Sequence, residues 1–188
     1  ADARKKWIQN GKNKDNTMDV NATTVSYNSF IHNELINYSQ ASVIRQIPAI
    51  HDGLKPSQRK ILYCALLRNL KSEIKVAQFA GYVSEKSSYH HGEASLQGCI
   101  INMAQNFVGA NNINLLYPSG QFGTRLMGGK DAASPRYIFT RLEEITSYLF
   151  KSSDFPLLKQ YLLFVKTVLY QKDKYIFNIF FLIYFCKI

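Results

Sequence analysis

The sequence predicts a mainly α chain with a small β component (α+β), organised as a helix-turn-helix of the winged-helix kind over residues 27–154. Three observations predict it. Ile61, Leu62, Ala65 and Leu66 form one apolar stripe at helical spacing, and Val76, Phe79, Ala80 and Val83 form a second at i, i+3, i+4 and i+7. A polar turn over residues 69–73 separates the two stripes, the pattern of two short helices joined tightly. Residues 138–150 return to apolar periodicity after a long excursion rich in Gly and Asn, and read as a short strand followed by a helix.

Taken in order, residues 8–26 are rich in Asn, Lys, Asp and Thr with few large apolar side chains, and read as a linker. Residues 27–36 then predict a short amphipathic helix with Phe30, Ile31 and Leu35 on one face and His32 as a surface residue. Pro48 and the turn His51-Asp52-Gly53 punctuate the chain, and Pro56 marks a helix start, since proline suits the first helical position. The second helix of the pair turns Lys75, Gln78, Tyr82 and Lys86 outward, a basic and polar face. A third helix is predicted from Glu93 to about Phe107, packing Leu96, Ile100, Ile101, Ala104 and Phe107. Residues 109–129 read as one long loop, and loops of that length in compact domains are usually functional or disordered.

A chain of 188 residues buries one good core and a small appendage. Its net charge of +10 points to a polyanionic partner without separating DNA from RNA or an acidic membrane. Cys64, Cys99 and Cys186 lie far apart with no CxxC spacing; Cys64 and Cys99 fall in apolar helical patterns and read as reduced core thiols. No signal peptide opens the chain, so a reducing compartment is expected, and the missing initiator methionine reads as a fragment of something longer. Residues 155–188 form an aberrant, apolar and aromatic-rich tail, with ten Phe or Tyr among 34 residues and no glycine. Its longest apolar run is too short to span a bilayer, so no membrane is expected. We read the tail as divergent, the product of read-through of non-coding sequence or of a truncated gene.

The chemistry concentrates in Gly128-Gly129-Lys130-Asp131-Ala132-Ala133-Ser134-Pro135-Arg136-Tyr137-Ile138-Phe139. A glycine-rich basic loop delivers an arginine and a tyrosine, side by side, to an apolar segment. A phenol can attack a phosphodiester while a guanidinium neutralises the phosphate. Alone the pair is a weak signal, because a Tyr beside an Arg is ordinarily a packed aromatic next to a solvated charge. The rest of the chain decides the matter. Asp52-Gly53-Leu54-Lys55-Pro56-Ser57-Gln58-Arg59-Lys60, Lys75-Val76-Ala77-Gln78, Ser88-Tyr89-His90-His91-Gly92-Glu93, Ala104-Gln105-Asn106-Phe107-Val108-Gly109 and Gln121-Phe122-Gly123-Thr124-Arg125 precede the tyrosine loop. From Tyr27 to about residue 150 the chain resembles the DNA-cleaving core of eukaryotic type II DNA topoisomerases, with these words in family order. Arg4-Lys5-Lys6-Trp7 resembles the helix that leaves that family's metal-binding domain, which makes residues 1–26 a linker following it. The resemblance ends after about Asp154.

The resemblance implies that Tyr137 is the nucleophile that forms a 5′-phosphotyrosyl link and frees a 3′-hydroxyl, with Arg136 beside it. A free phenol has a pKa near ~10, so it needs help to lose its proton, and a fixed guanidinium supplies charge. Arg59, one turn into the helix after Pro56, opposes the helix dipole unless an anion docks nearby; with Lys55 and Lys60 close in sequence, a phosphate is the sensible anion. The alternative is a solvated arginine paired with Asp52. His90 and His91 do not read as metal ligands, because adjacent side chains diverge; they read as phosphate or transition-state contacts, with His91 favoured by the resemblance and one of the pair structural. Arg125 and Lys130 on the glycine loop, and Lys75 and Gln78 on the helix face, complete the expected DNA-binding set. No metal ligand is expected in the chain: Asp131 is a single carboxylate. The resemblance implies Mg2+ and ATP for the full-length enzyme, bound elsewhere, and a nuclear homodimer acting on double-stranded DNA. The alternative reading is a non-catalytic winged-helix fragment that binds DNA, and a third is that the truncated chain does not fold stably.

Overall fold

The structure, a computed structural model, describes residues 1–11, 21, 23–50, 52–89, 91–156 and 158. Its chain divides into two compact units that meet in sequence at Lys55 and Pro56. The sequence reading opens its folded domain at Tyr27, whereas the unit holding the tyrosine loop begins at Pro56.

In the first unit α1 (Asp2–Asn10) runs three residues into the expected linker. It packs on the following helix through two side-chain hydrogen bonds. The Trp7 indole N–H donates to His32 Nδ1 at 3.2 Å, and Gln40 Nε2 donates to the Ile8 carbonyl at 3.2 Å. His32 is therefore an acceptor in a helix contact as well as a surface residue. Ile36, 3% exposed, lies over Gly11, where any Cβ would collide with its side chain. The helix itself is longer than expected. Ser26 caps α2 (Tyr27–Phe30) by accepting the Ser29 N–H at 3.2 Å. A π-helical turn, Ile31–Leu35, then leads without a break into α3 (Ile36–Gln46). Phe30, Ile31 and Leu35 remain part-exposed rather than forming a buried face. The Asp52 carboxylate accepts the Leu54 N–H at 2.9 Å and Gly53 takes a positive φ, which makes the expected turn.

The second unit carries the predicted helix-turn-helix. Pro56 opens α4 (Pro56–Leu67), and residues 59 to 65 of it are all buried. An apolar run without polar interruption, Ile61-Leu62-Tyr63-Cys64-Ala65, belongs to a helix covered on every side. After the turn at Asn69 (φ 49°) a short strand β1 (Ile74–Lys75) precedes α5 (Val76–Ser87). Val76, Phe79, Ala80 and Val83 are all 0% exposed, as their spacing predicts. The third helix, α6 (Glu93–Ala104), buries Leu96, Ile100 and Ala104 and stops three residues short of Phe107. Each large side chain buried in this way contributes roughly 1.5–3 kcal/mol over leaving it exposed.

Strands β2 (Leu116–Ser119) and β3 (Phe139–Leu142) join β1 in an antiparallel sheet of order β1-β3-β2. Strand β2 lies inside the stretch read as one long loop. Its Pro118 pairs with Thr140 from an edge position, where a missing N–H costs no ladder bond. The predicted strand-then-helix is β3 followed by α7 (Glu144–Leu149). Thr146, fully buried, donates its hydroxyl to the Leu115 carbonyl at 2.7 Å and ties α7 to the residue that precedes β2. The architecture is mainly helical with a small three-stranded sheet. Among the described residues no helix is long and apolar enough to cross a membrane. At the start of the tail the Phe155 ring stacks on Tyr63, centroids 5.0 Å apart, and Leu158 is buried. The remaining expectation for the tail, most of the linker, and His90 lie outside the described residues.

Candidate active site

Tyr137 sits on a turn held from both sides. Its own N–H donates to the Ser134 carbonyl at 2.9 Å, which closes Ser134-Pro135-Arg136-Tyr137 into a turn. The first two N–H groups of α5 fasten that turn: Val76 donates to Ile138 O at 3.0 Å and Ala77 to Pro135 O at 3.1 Å. Helix N-termini carry N–H groups with no partner in their own helix, so this docking satisfies two of them. Ile138, 2% exposed, plugs the turn into the core, while the Tyr137 ring stays 77% exposed and Arg136 is exposed. Lys75 and Gln78, both exposed, occupy the same end of α5. Arg136, Tyr137, Lys75 and Gln78 are thus brought together.

The loop before the turn is closed on itself. Both Asp131 oxygens are engaged by Thr124, accepting its N–H at 2.8 Å and its hydroxyl at 2.7 Å. The backbone N–H of Thr124 first, then its hydroxyl, hold the Asp131 carboxyl below its ordinary value. Gly129 N–H donates to Thr124 O at 2.9 Å and Ala133 N–H to Gln121 O at 2.9 Å. Glycine is required at Gly123 (φ 102°), where a Cβ would lie 2.6 Å from Gly129 Cα. Gln105, 7% exposed, reaches across from the end of α6: its Nε2 donates to Phe122 O at 2.9 Å and to Gly129 O at 3.4 Å. Arg125 and Lys130 both stand exposed, with Leu126 92% exposed between them.

A second cluster lies around the junction of α5 and α6. Lys60 is not a free surface cation. It is 7% exposed, its Nζ donates to Ser88 O at 3.4 Å, and it stands 5.8 Å from the Tyr89 ring centroid. Burial pushes its ammonium below the ordinary value. The Tyr89 ring packs edge-on against His91, centroids 5.4 Å apart, and leaves the imidazole exposed just ahead of α6. Arg59 is also buried, at 6% exposed, so neither cation of α4 projects freely into solvent. Lys55, exposed, belongs to the other unit. Among the described residues no group of three or more His, Cys, Asp or Glu could hold a metal ion. With both Asp131 oxygens committed, these residues do not fit a magnesium site.

Sequence reasoning missed Gln105, Asn111 and Tyr89. Gln105 and Tyr89 fall inside recognised words, but nothing local marks which of those residues reaches the loop or the histidine.

A winged helix that presents an exposed tyrosine–arginine pair on a turn clamped to α5 is the class of protein that this fold and site define. Comparison with known proteins makes the class specific. The family model for the A subunit of DNA gyrase/topoisomerase IV matches residues 45–163, more than half the chain and past Asp154. The chain is 54% identical over 155 residues to the mitochondrial DNA topoisomerase 2 of Dictyostelium discoideum, covering 82% of the chain and 12% of that protein. Against human DNA topoisomerase 2-alpha it is 53% identical over 169 residues, covering 84% of the chain and 11% of the relative. A crystal structure of the Plasmodium falciparum topoisomerase II DNA-binding, cleavage and re-ligation domain superposes with a TM-score of 0.71 at 52% identity, over 83% of this chain and 21% of that one. The chain belongs to the type II DNA topoisomerase family, in the part matched by the gyrase/topoisomerase IV family model. It spans only about an eighth of the length of these curated relatives.

Proposed function

We propose that the chain is the DNA-gate portion of an ATP-dependent type II DNA topoisomerase, which cleaves and reseals duplex DNA through a 5′-phosphotyrosyl intermediate. The observation that carries this reading is the exposed Tyr137 phenol beside Arg136 on a turn fastened to α5. In the proposal the Tyr137 oxygen attacks a backbone phosphorus and the bond to the 3′ oxygen breaks. The tyrosine proton is lost and the departing deoxyribose oxygen gains one as a hydroxyl. The new phosphodiester keeps the bond energy, so the reverse attack reseals the strand.

Arg136 neutralises the attacked phosphate, and His91, seated on Tyr89, hydrogen-bonds to the phosphate or the transition state. Lys75, Gln78, Arg125 and Lys130 keep solvent-accessible side chains and contact backbone phosphates without reading bases. Arg59, Lys55 and His90 belong to the same DNA-binding set in this proposal. Lys60 contributes by holding Ser88 and Tyr89, and with them the seat of His91. Each chain offers one such tyrosine and a duplex has two strands, which calls for a homodimer. The partner is double-stranded DNA and the compartment the nucleus. Mg2+ and ATP belong to parts of the parent enzyme other than these residues.

The test mixes the chain with a metal-domain fragment from a relative, magnesium and supercoiled DNA, then adds detergent. Protein linked covalently to DNA 5′ ends, and lost in Tyr137→Phe, is the expected result. Complementation that yields no adduct while the mixture still binds DNA refutes the cleavage chemistry.

A further inference from the structure

The loop that delivers Arg136 and Tyr137 is joined to the end of α6 by the side chain of Gln105. Gln105 caps the end of α6 in an extended conformation and is buried. Its Nε2 faces two carbonyl oxygens, Phe122 O at 2.9 Å and Gly129 O at 3.4 Å, on opposite legs of the loop. Both partners accept only, so the amide nitrogen and not the oxygen must face them, and its two hydrogens match two acceptors. Gly129 makes room for this amide, since a Cβ there would collide with Nε2. Asn111 fixes Gln105 in turn, donating to the Gln105 carbonyl at 2.8 Å and to the Asn102 carbonyl at 2.7 Å. Thr124 with Asp131, Gly129 with Thr124 and Ala133 with Gln121 tie the legs to each other, while the Val76 and Ala77 N–H groups hold the tyrosine turn on α5.

We propose that Gln105 is a positioning residue for strand cleavage: its amide sets the register of the two loop legs against α6, and through them the placement of Arg136 and Tyr137. The proposal rests on the DNA-cleavage reading above. It makes Gln105 a second link between the helical core and the nucleophile, from α6 through the loop legs, beside the two backbone bonds that hold the turn on α5, and without contact to DNA. An amide at this length is needed. Methionine fills the same space but donates nothing, and glutamate would bring negative charge against two carbonyl oxygens.

The test compares the full chain with Gln105→Met in three measurements: the adduct assay with the metal-domain fragment, DNA affinity, and amide exchange at Gly129 and Tyr137. The expected result is adduct yield lower by about tenfold to a hundredfold, the size of loss that misplaced reacting groups produce. DNA affinity and the thermal midpoint stay close to those of the unmodified chain, while both amides exchange faster. Adduct formation undiminished in Gln105→Met overturns the proposal. So does a loss in which affinity and thermal midpoint fall together with the adduct, because that describes a residue needed only for folding. If the unmodified chain forms no adduct, the cleavage reading fails on its own. The exchange data then decide the inference: unaltered exchange at Tyr137 overturns it, and acceleration upholds the link to the tyrosine turn.

Discussion

Replacing Gly123 by alanine tests the closed loop most directly. The backbone there has φ 102°, a region that an L residue rarely adopts, and the new methyl carbon would lie 2.6 Å from Gly129 Cα and 2.7 Å from Gly129 O. Backbone strain of this kind costs on the order of 1–3 kcal/mol. The clash adds to it, because its partner is backbone that cannot rotate away. Together they are expected to cost about 3 kcal/mol, which corresponds to roughly a hundredfold shift of the loop equilibrium toward open forms. Gly128→Ala is the control. Its φ of 58° is a left-handed conformation with nothing within 4 Å of the new carbon, so only the strain of about 1 kcal/mol applies. Hydrogen exchange at the Thr124 and Gly129 amides, which donate to Asp131 and to Thr124 O, reads both variants. Exchange in Gly123→Ala should accelerate well beyond that in Gly128→Ala. Equal exchange in the two variants would refute the loop geometry.

Truncating Phe79 to alanine removes the largest fully buried side chain of the second unit and should lower stability by about 3–5 kcal/mol, read as a fall in the urea midpoint. Titration of Asp131 should show a carboxyl midpoint below 3.8, because Thr124 stabilises the charged form. A depressed folded value means that this contribution is present at neutral pH and disappears as pH falls below 3.8 and through the folded midpoint, so the loop amides should exchange faster in acid. Thr124→Val keeps the N–H and loses the hydroxyl, and should bring the midpoint part of the way back. The Cys64 thiol, pushed up to about 12 by burial, should resist alkylation in the native protein at pH 8–9 and react only on unfolding. Between pH 9 and about 12 the folded state keeps a proton that the unfolded state loses, so stability should decline across that window.

The helix-turn-helix is legible in the sequence because each helix shows one feature that packing enforces. The spacing of Val76, Phe79, Ala80 and Val83 has no other use than to place four side chains on a covered face. Strand β2 escapes for the opposite reason. Leu116-Tyr117-Pro118-Ser119 contains a proline and sits among glycines and asparagines, so its strand character comes only from pairing with β3. The burial of Arg59 and Lys60 also escapes, since first-turn cations ordinarily face water. The unbroken apolar run that follows them, Ile61 to Ala65, is the signal that this helix is covered all round. At the site, Arg136 and Tyr137 are legible as neighbours in a word. The grip of Gln105 is not, for its partners Phe122 and Gly129 lie 17 and 24 residues away and the bonds go to their carbonyls, which every residue possesses.

The two bonds from the front of α5 to Pro135 and Ile138 have a mechanical consequence. A helix and a turn joined at their backbones share one frame, so a shove on the outer face of α5 travels to the phenol without slack. Bending or sliding of whatever lies against Lys75 and Gln78 is thereby converted into motion of the Tyr137 oxygen. In the proposed chemistry, grip and cut are geared together by these two peptide hydrogens.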